Sequence, residues 1–103
     1  ILHTLNNGQT MRNLRGAPDS RRYFRIFVPN GQTSLTVLTG GGKGDADIYV
    51  RRGLLPTLAS PRRSQTPATL NSVVIPNPPA GWYYILLYGN SAYRDVEISA
   101  TFK

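Results

Sequence analysis

Two carboxylates, Asp45 and Asp47, stand one residue apart where a glycine-rich turn runs into an apolar segment, Gly44-Asp45-Ala46-Asp47-Ile48-Tyr49-Val50. Aspartate is a poor strand residue, and positions i and i+2 of an extended segment share a face. The pair therefore implies a cation to bind, a loop to hold or a proton to move. Calcium takes roughly six to eight oxygens from carboxylates, carbonyls and waters; Asp45 and Asp47 offer two side chains, with Asp19 or Asn90 as further candidates. The competing reading is a structural brace, in which the carboxylates accept hydrogen bonds from backbone N–H groups of neighbouring loops and pin the start of the strand. The brace is the better expectation, because five acidic residues are set against twelve basic ones.

Other chemistry is poorly provided for. A serine triad or a histidine acid–base pair would have to use His3, the sole histidine, in a terminal segment prone to fraying. Without cysteine there is no disulfide, no thiol and no usual zinc ligand set. Two carboxylates that cleave a glycosidic bond face each other across a cleft roughly 5 to 9.5 Å wide, which neighbours on one strand do not span. The run Gly40-Gly41-Gly42-Lys43-Gly44 is followed by neither Ser nor Thr nor a helix, so it is no phosphate cradle. No enzymatic activity of the chain's own is expected.

The elements that must position these residues are strands. Phe24, Ile26 and Val28 alternate with Arg25 and Phe27 before Pro29-Asn30-Gly31; Leu35 and Val37 alternate with Thr36 and Leu38 before the triple glycine. The period is two. Further strands are expected at 10–14, 47–51, 72–75, 82–88 and 95–102, the last with Val96, Ile98, Ala100 and Phe102 on one face and Glu97, Ser99 and Thr101 on the other. No helical periodicity lasts three turns, and eight prolines with ten glycines punctuate the chain at strand-like intervals. About seven to eight short strands in a single domain over 1–103 bury their inner faces only as stacked sheets or a barrel. The expected fold is an all-β antiparallel sandwich, jelly-roll-like, with 1–9 as a linker or first edge strand and 53–71 as a long connection.

The net charge is +7, and arginine supplies ten of the twelve positive residues, in the pairs Arg21-Arg22, Arg51-Arg52 and Arg62-Arg63 among others. No helix or nucleic-acid motif gathers them into a stripe with stacking aromatics, so a solubilising surface is expected and a nucleic-acid partner is not. No apolar run approaches the ~20 residues of a membrane helix, and a membrane partner is not expected either. A monomer is. The amino terminus lacks a signal-type segment, and the chain reads as part of a larger protein whose targeting signal lies upstream.

The order Tyr23-Phe24-Arg25-Ile26-Phe27-Val28-Pro29-Asn30-Gly31, Leu35-Thr36-Val37, Gly41-Gly42-Lys43-Gly44-Asp45-Ala46-Asp47-Ile48-Tyr49-Val50, Pro56-Thr57, Gly81-Trp82-Tyr83-Tyr84 and Ala92-Tyr93 resembles the bacterial pre-peptidase C-terminal domain, over nearly the whole chain. The resemblance implies a non-catalytic β-sandwich that follows the catalytic domain of secreted bacterial metallo- and serine peptidases and collagenases. Members are often trimmed off on maturation; some assist secretion, and some bind insoluble collagen or chitin. Related collagenase modules bind calcium. Many relatives carry a cysteine pair in the connection corresponding to 53–71, and its absence here predicts a looser loop.

Under that resemblance the partner is an insoluble polymer, a collagen-like protein or chitin-like polysaccharide, or else the parent catalytic domain, and the location is extracellular. The strand 81–89 is apolar on both faces. Tyr83, Ile85 and Leu87 are assigned inward, since family members tolerate small or polar residues where Trp82 and Tyr88 stand. Trp82, Tyr84, Leu86 and Tyr88 then face outward, and large aromatics there make effective anchors. Arg51, Arg52, Arg62 and Arg63 are expected to flank the strip as a basic rim. The alternative is that the long connection or the parent enzyme covers it.

Overall fold

Eight strands and no helix make up residues 2–103, the part of the chain that the computed structural model describes. In chain order they are β1 Leu2–Thr4, β2 Thr10–Gly16, β3 Arg21–Val28, β4 Ser34–Gly40, β5 Lys43–Arg52, β6 Arg62–Ser64, β7 Asn71–Pro76 and β8 Gly81–Phe102. The sequence predicts two strands where β8 runs unbroken for 22 residues. Gly89-Asn90-Ser91 carries turn-forming residue types, yet the backbone there stays extended and bulges where β8 leaves one layer for the other.

That bend makes the sandwich. The first part of β8 pairs with β3 and β5, with β1 and β6 outside them; the last part pairs with β2 and β4, with β7 beyond. The fold is the expected all-β sandwich, with one departure from antiparallel order: β1 lies parallel to β3. Between them the chain crosses to the other layer as β2, and a crossover of this kind is what parallel neighbours require.

Alternation places the core where the sequence pattern puts it. Phe24, Ile26 and Val28, Leu35 and Val37, Ile48 and Val50, and Val96, Ile98 and Ala100 are all buried between the layers. Each fully buried side chain of this size contributes on the order of 1.5–3 kcal/mol, and no disulfide adds to it.

Close backbone approach at the β8 bend demands glycine. A Cβ on Gly44, whose φ is +110°, would lie 2.1 Å from the Ala92 carbonyl oxygen, and one on Gly89 would lie 2.5 Å from that of Ala17. Gly89 is paired there with the loop ahead of β3: its N–H donates to Ser20 O at 3.0 Å, and its carbonyl accepts from Asp19 N at 2.7 Å.

The 53–71 connection is tied down without cysteine. Buried Asn71 accepts from Ser64 Oγ (2.9 Å) and Thr66 N (3.0 Å), and its own amide donates to the Ala46 carbonyl. Thr39 Oγ1 donates to Thr69 O at 2.8 Å, and Thr69 Oγ1 to Gly41 O at 2.6 Å. These bonds fix the carboxyl-terminal end of the loop that the missing cysteine pair was expected to loosen.

Candidate functional site

The outer face of the first layer follows from register, because residues directly opposite in an antiparallel ladder share a face. Phe27 stands opposite Trp82; Arg25, Tyr84 and Arg51 form the next row; then come Tyr23, Leu86, Tyr49 and Arg63; and Arg21, Tyr88 and Asp47 form the last. Aromatic rings thus alternate with guanidinium groups across four strands. Trp82, Tyr84 and Tyr88 are all partly exposed on this face, as expected.

Contacts within the face hold the rings in place. The Arg25 guanidinium lies 4.2 Å from the Trp82 ring centroid, and Phe27 meets Trp82 edge to face at 5.4 Å. Arg21 sits 5.7 Å from the Tyr88 ring, and the Tyr88 hydroxyl donates to an Asp19 carboxylate oxygen. That bond, the largest cause, raises the Tyr88 hydroxyl above its ordinary pKa. The 53–71 connection touches the face through Gln65, whose Nε2 donates to Tyr49 Oη at 2.8 Å; the groups packed on Trp82 and Tyr88 come from β3 and the loop before it.

Two sequence expectations change here. Leu86 points outward but is wholly buried, since it sits on the central strand between Tyr23 and Tyr49. The arginine pairs also divide. Arg51 and Arg63 stand opposite Tyr84 and Tyr49 and flank the aromatic face, whereas Arg52 and Arg62 stand opposite the inward Tyr83 and Val50. Adjacent residues of a strand point to opposite faces, so Arg52 and Arg62 do not belong to the rim. Tyr23, Arg25, Phe27, Tyr49 and Arg21 complete the face and were not singled out in the sequence. The signal was there: if Phe24, Ile26 and Val28 point inward, their neighbours point outward.

Asp45 and Asp47 lie at the end of the face nearest the β8 bend. Asp45 Oδ2 accepts from Asn90 Nδ2 at 2.9 Å, while Asp45 Oδ1 and Asp47 Oδ1 are buried without a hydrogen-bond partner. The brace therefore runs through a side-chain amide and not through the loop backbone N–H groups that the sequence suggested. Asp47 is only 5% exposed. Burial first, then the neighbouring Asp45 carboxylate, raise its pKa from 3.8 to about 6.

Asp19 is bonded to Tyr88, and no group of three or more His, Asp or Glu side chains converges as metal ligands among the described residues. Calcium's roughly six to eight oxygens are not assembled here, so the residues present do not fit a calcium cage.

The profile of the bacterial pre-peptidase C-terminal domain matches residues 20–89, more than half of the chain. The chain belongs to this family. Sequence relatives agree with the assignment: the Alkaline serine exoprotease A of Vibrio alginolyticus is 33% identical over 99 residues, covering 95% of this chain and 18% of the relative. The Extracellular protease of Xanthomonas campestris pv. campestris is 36% identical over 104 residues, covering 97% of this chain and 17% of the relative. The solution structure of vEP C-ter 100 superposes with a TM-score of 0.69 at 27% identity, covering 94% of this chain and 96% of that one. The pre-peptidase C-terminal domain of a Bacillus anthracis collagenase shares the fold, with a TM-score of 0.62 at 15% identity over 98% of this chain and 95% of that one.

The chain thus spans less than a fifth of the length of these two relatives. A pre-peptidase C-terminal domain of this size is an accessory module and not the protease itself.

Proposed function

We propose that this pre-peptidase C-terminal domain anchors a secreted parent peptidase to an insoluble protein substrate. Trp82, Tyr84 and Tyr88 are the contact residues, and Arg51 and Arg63 are the rim. The observation that carries the reading is the outer face of the first layer, where partly exposed aromatics stand in register with guanidinium groups. Aromatic side chains bury much surface for little lost rotamer freedom. Neighbouring rings and cations already restrain Trp82 and Tyr88, so still less freedom remains to be lost on binding.

The Trp82 environment favours protein over polysaccharide. Arg25 packs on one face of the indole and so takes up one of the two faces on which a sugar ring could stack, while its donors and those of Arg51 suit the carbonyl-rich surface of a collagen-like chain. Co-sedimentation tests this. The domain should pellet with insoluble collagen and not with chitin, and Trp82→Ala with Tyr84→Ala should weaken pelleting more than about tenfold. Unchanged pelleting by the double variant would remove the aromatic face from the account.

A second reading rests on the share of the Vibrio alginolyticus and Xanthomonas campestris relatives outside the match, more than four fifths of their length. In it the module is a processing or secretion domain that contacts the parent catalytic domain and is removed on maturation. It predicts association with that domain in trans and no pelleting with polymer. In both readings the Asp45/Asp47 pair works as a brace without calcium, and the domain is extracellular.

A further inference from the structure

A cleft of about 530 Å³ opens at the end of the sandwich far from the β8 bend, between the carboxyl-terminal end of β5 and the edge of β7. Its walls are apolar and come from both layers: Val50 from β5, Ile75 from β7 and Tyr83 from β8. Its rim holds Arg52 and Arg62, the two arginines whose side chains turn away from the aromatic face.

No acidic side chain lines this cleft. The salt bridge among the described residues, Arg12 with Glu97 at 3.4 Å, lies on the second layer. Asp45 and Asp47 are at the opposite end of β5. Two cations beside a partly apolar hollow without a counter-charge repel one another and are costly to keep together. One of them is held in place. Arg52 is fixed by Nε and Nη2, which both donate to the Ala80 carbonyl, at 3.1 and 2.5 Å, leaving Nη1 free. The Tyr83 hydroxyl donates to Pro79 O at 2.7 Å. Burial raises its pKa, and Arg52 and Arg62 act against that rise, so their positive field reaches the cleft wall.

The geometry points to a second site, separate from the aromatic face: this cleft binds an acidic peptide segment with an apolar side chain beside its carboxylate. The carboxylate would meet Arg62 and the free edge of Arg52, and guanidinium forks pair well with carboxylates. The apolar neighbour would lie over the floor formed by Val50, Ile75 and Tyr83. A bare phosphate or sulfate would satisfy the cations and leave these walls wet. A cleft of this volume suits a short peptide motif, being within the range of small-ligand pockets of roughly 300–1,000 Å³.

The test is an NMR titration of the ¹⁵N-labelled domain with the blocked tetrapeptide Leu-Asp-Phe-Glu amide, with Leu-Asn-Phe-Gln amide and inorganic sulfate as comparisons. Saturable shifts should centre on Arg51, Arg52, Ser60, Arg62 and Tyr83 with the acidic peptide, and the affinity should fall at least about fivefold between 50 and 300 mM salt. Arg62→Gln, an exposed position that the spectrum itself will show to be folded, should weaken binding about tenfold. Arg12→Gln should leave it unchanged. Equal shifts with the amide peptide, sulfate alone matching the acidic peptide, shifts centred elsewhere, or an Arg62→Gln domain that binds as before would each overturn the proposal.

Discussion

The two ends of β8 share one backbone but treat their outer faces differently. Beyond the bend, Val96, Ile98 and Ala100 are buried while Glu97, Ser99 and Thr101 face solvent beside Thr36, Leu38 and Ser72. Before the bend, Tyr83, Ile85 and Leu87 are buried, yet the outer side carries Trp82, Tyr84, Leu86 and Tyr88 among the aromatics and arginines of β3 and β5. The second layer's outer face is mostly polar, with Leu38 and Val74 exposed among Thr36, Ser72, Ser99 and Thr101, whereas the first layer's is mostly aromatic and cationic. A sheet that keeps rings and guanidinium groups on its outer face retains apolar contact area that solubility alone does not require.

The largest break in that comparison comes from Leu86→Ala. Leu86 is outward by alternation yet fully buried, so its loss should cost about 2–4 kcal/mol, like that of a core leucine. Ser99→Ala, outward on the second layer, should stay within about 0.5 kcal/mol. Urea unfolding of both variants checks the pair, and similar midpoints would show that the first layer's outer face is not packed.

The next effect is pH-dependent. The Asp47 pKa is higher folded, about 6, than unfolded, 3.8. Its contribution to stability is thus fully present below pH 3.8 and is lost as pH rises to about 6. Asp47→Asn removes the buried like charge and should raise the thermal midpoint by about 4 °C at pH 7, with no gain near pH 4. A gain that persists at pH 4 would mean that charge is not the cause.

Arg25→Gln uncovers the single tryptophan. It should cost about 0.5–1 kcal/mol and shift Trp82 emission to the red, whereas Arg12→Gln on the second layer should leave the emission unchanged. The smallest expected effect is that of calcium. Millimolar ion against chelator should move the thermal midpoint by less than about 1 °C, because a ligand that bound only the folded state would raise it by mass action.

Much of this was legible locally. Alternation in 24–28, 35–38 and 95–102 gave the inward residues, whereas the inward assignment of Tyr83, Ile85 and Leu87 needed the family resemblance, because alternation does not choose between two apolar faces. The burial of Leu86 was not legible, since it depends on Tyr23 and Tyr49, residues far away in sequence that register sets beside it. The split of Arg51 from Arg52 and of Arg63 from Arg62 was legible in principle from parity, but only once β5 and β6 are known to pair. The turn-like composition of Gly89-Asn90-Ser91 misled, because a bulge and a turn use the same small polar residues.

By itself the sequence determined a β fold, a strand at 95–102 with one polar face, a strand at 81–89 apolar on both, and a chain with one histidine and no cysteine. These are properties of composition and of a two-residue period, which act over a few neighbouring residues. Only the tertiary structure decided that two predicted strands are one, that Asp47 is buried against Asp45, that Arg25 covers Trp82, and that Arg52 and Arg62 line a cleft apart from the aromatic face. Each of these depends on which strands lie side by side and in what register, and that is fixed only when the whole sheet folds over at the bend of β8.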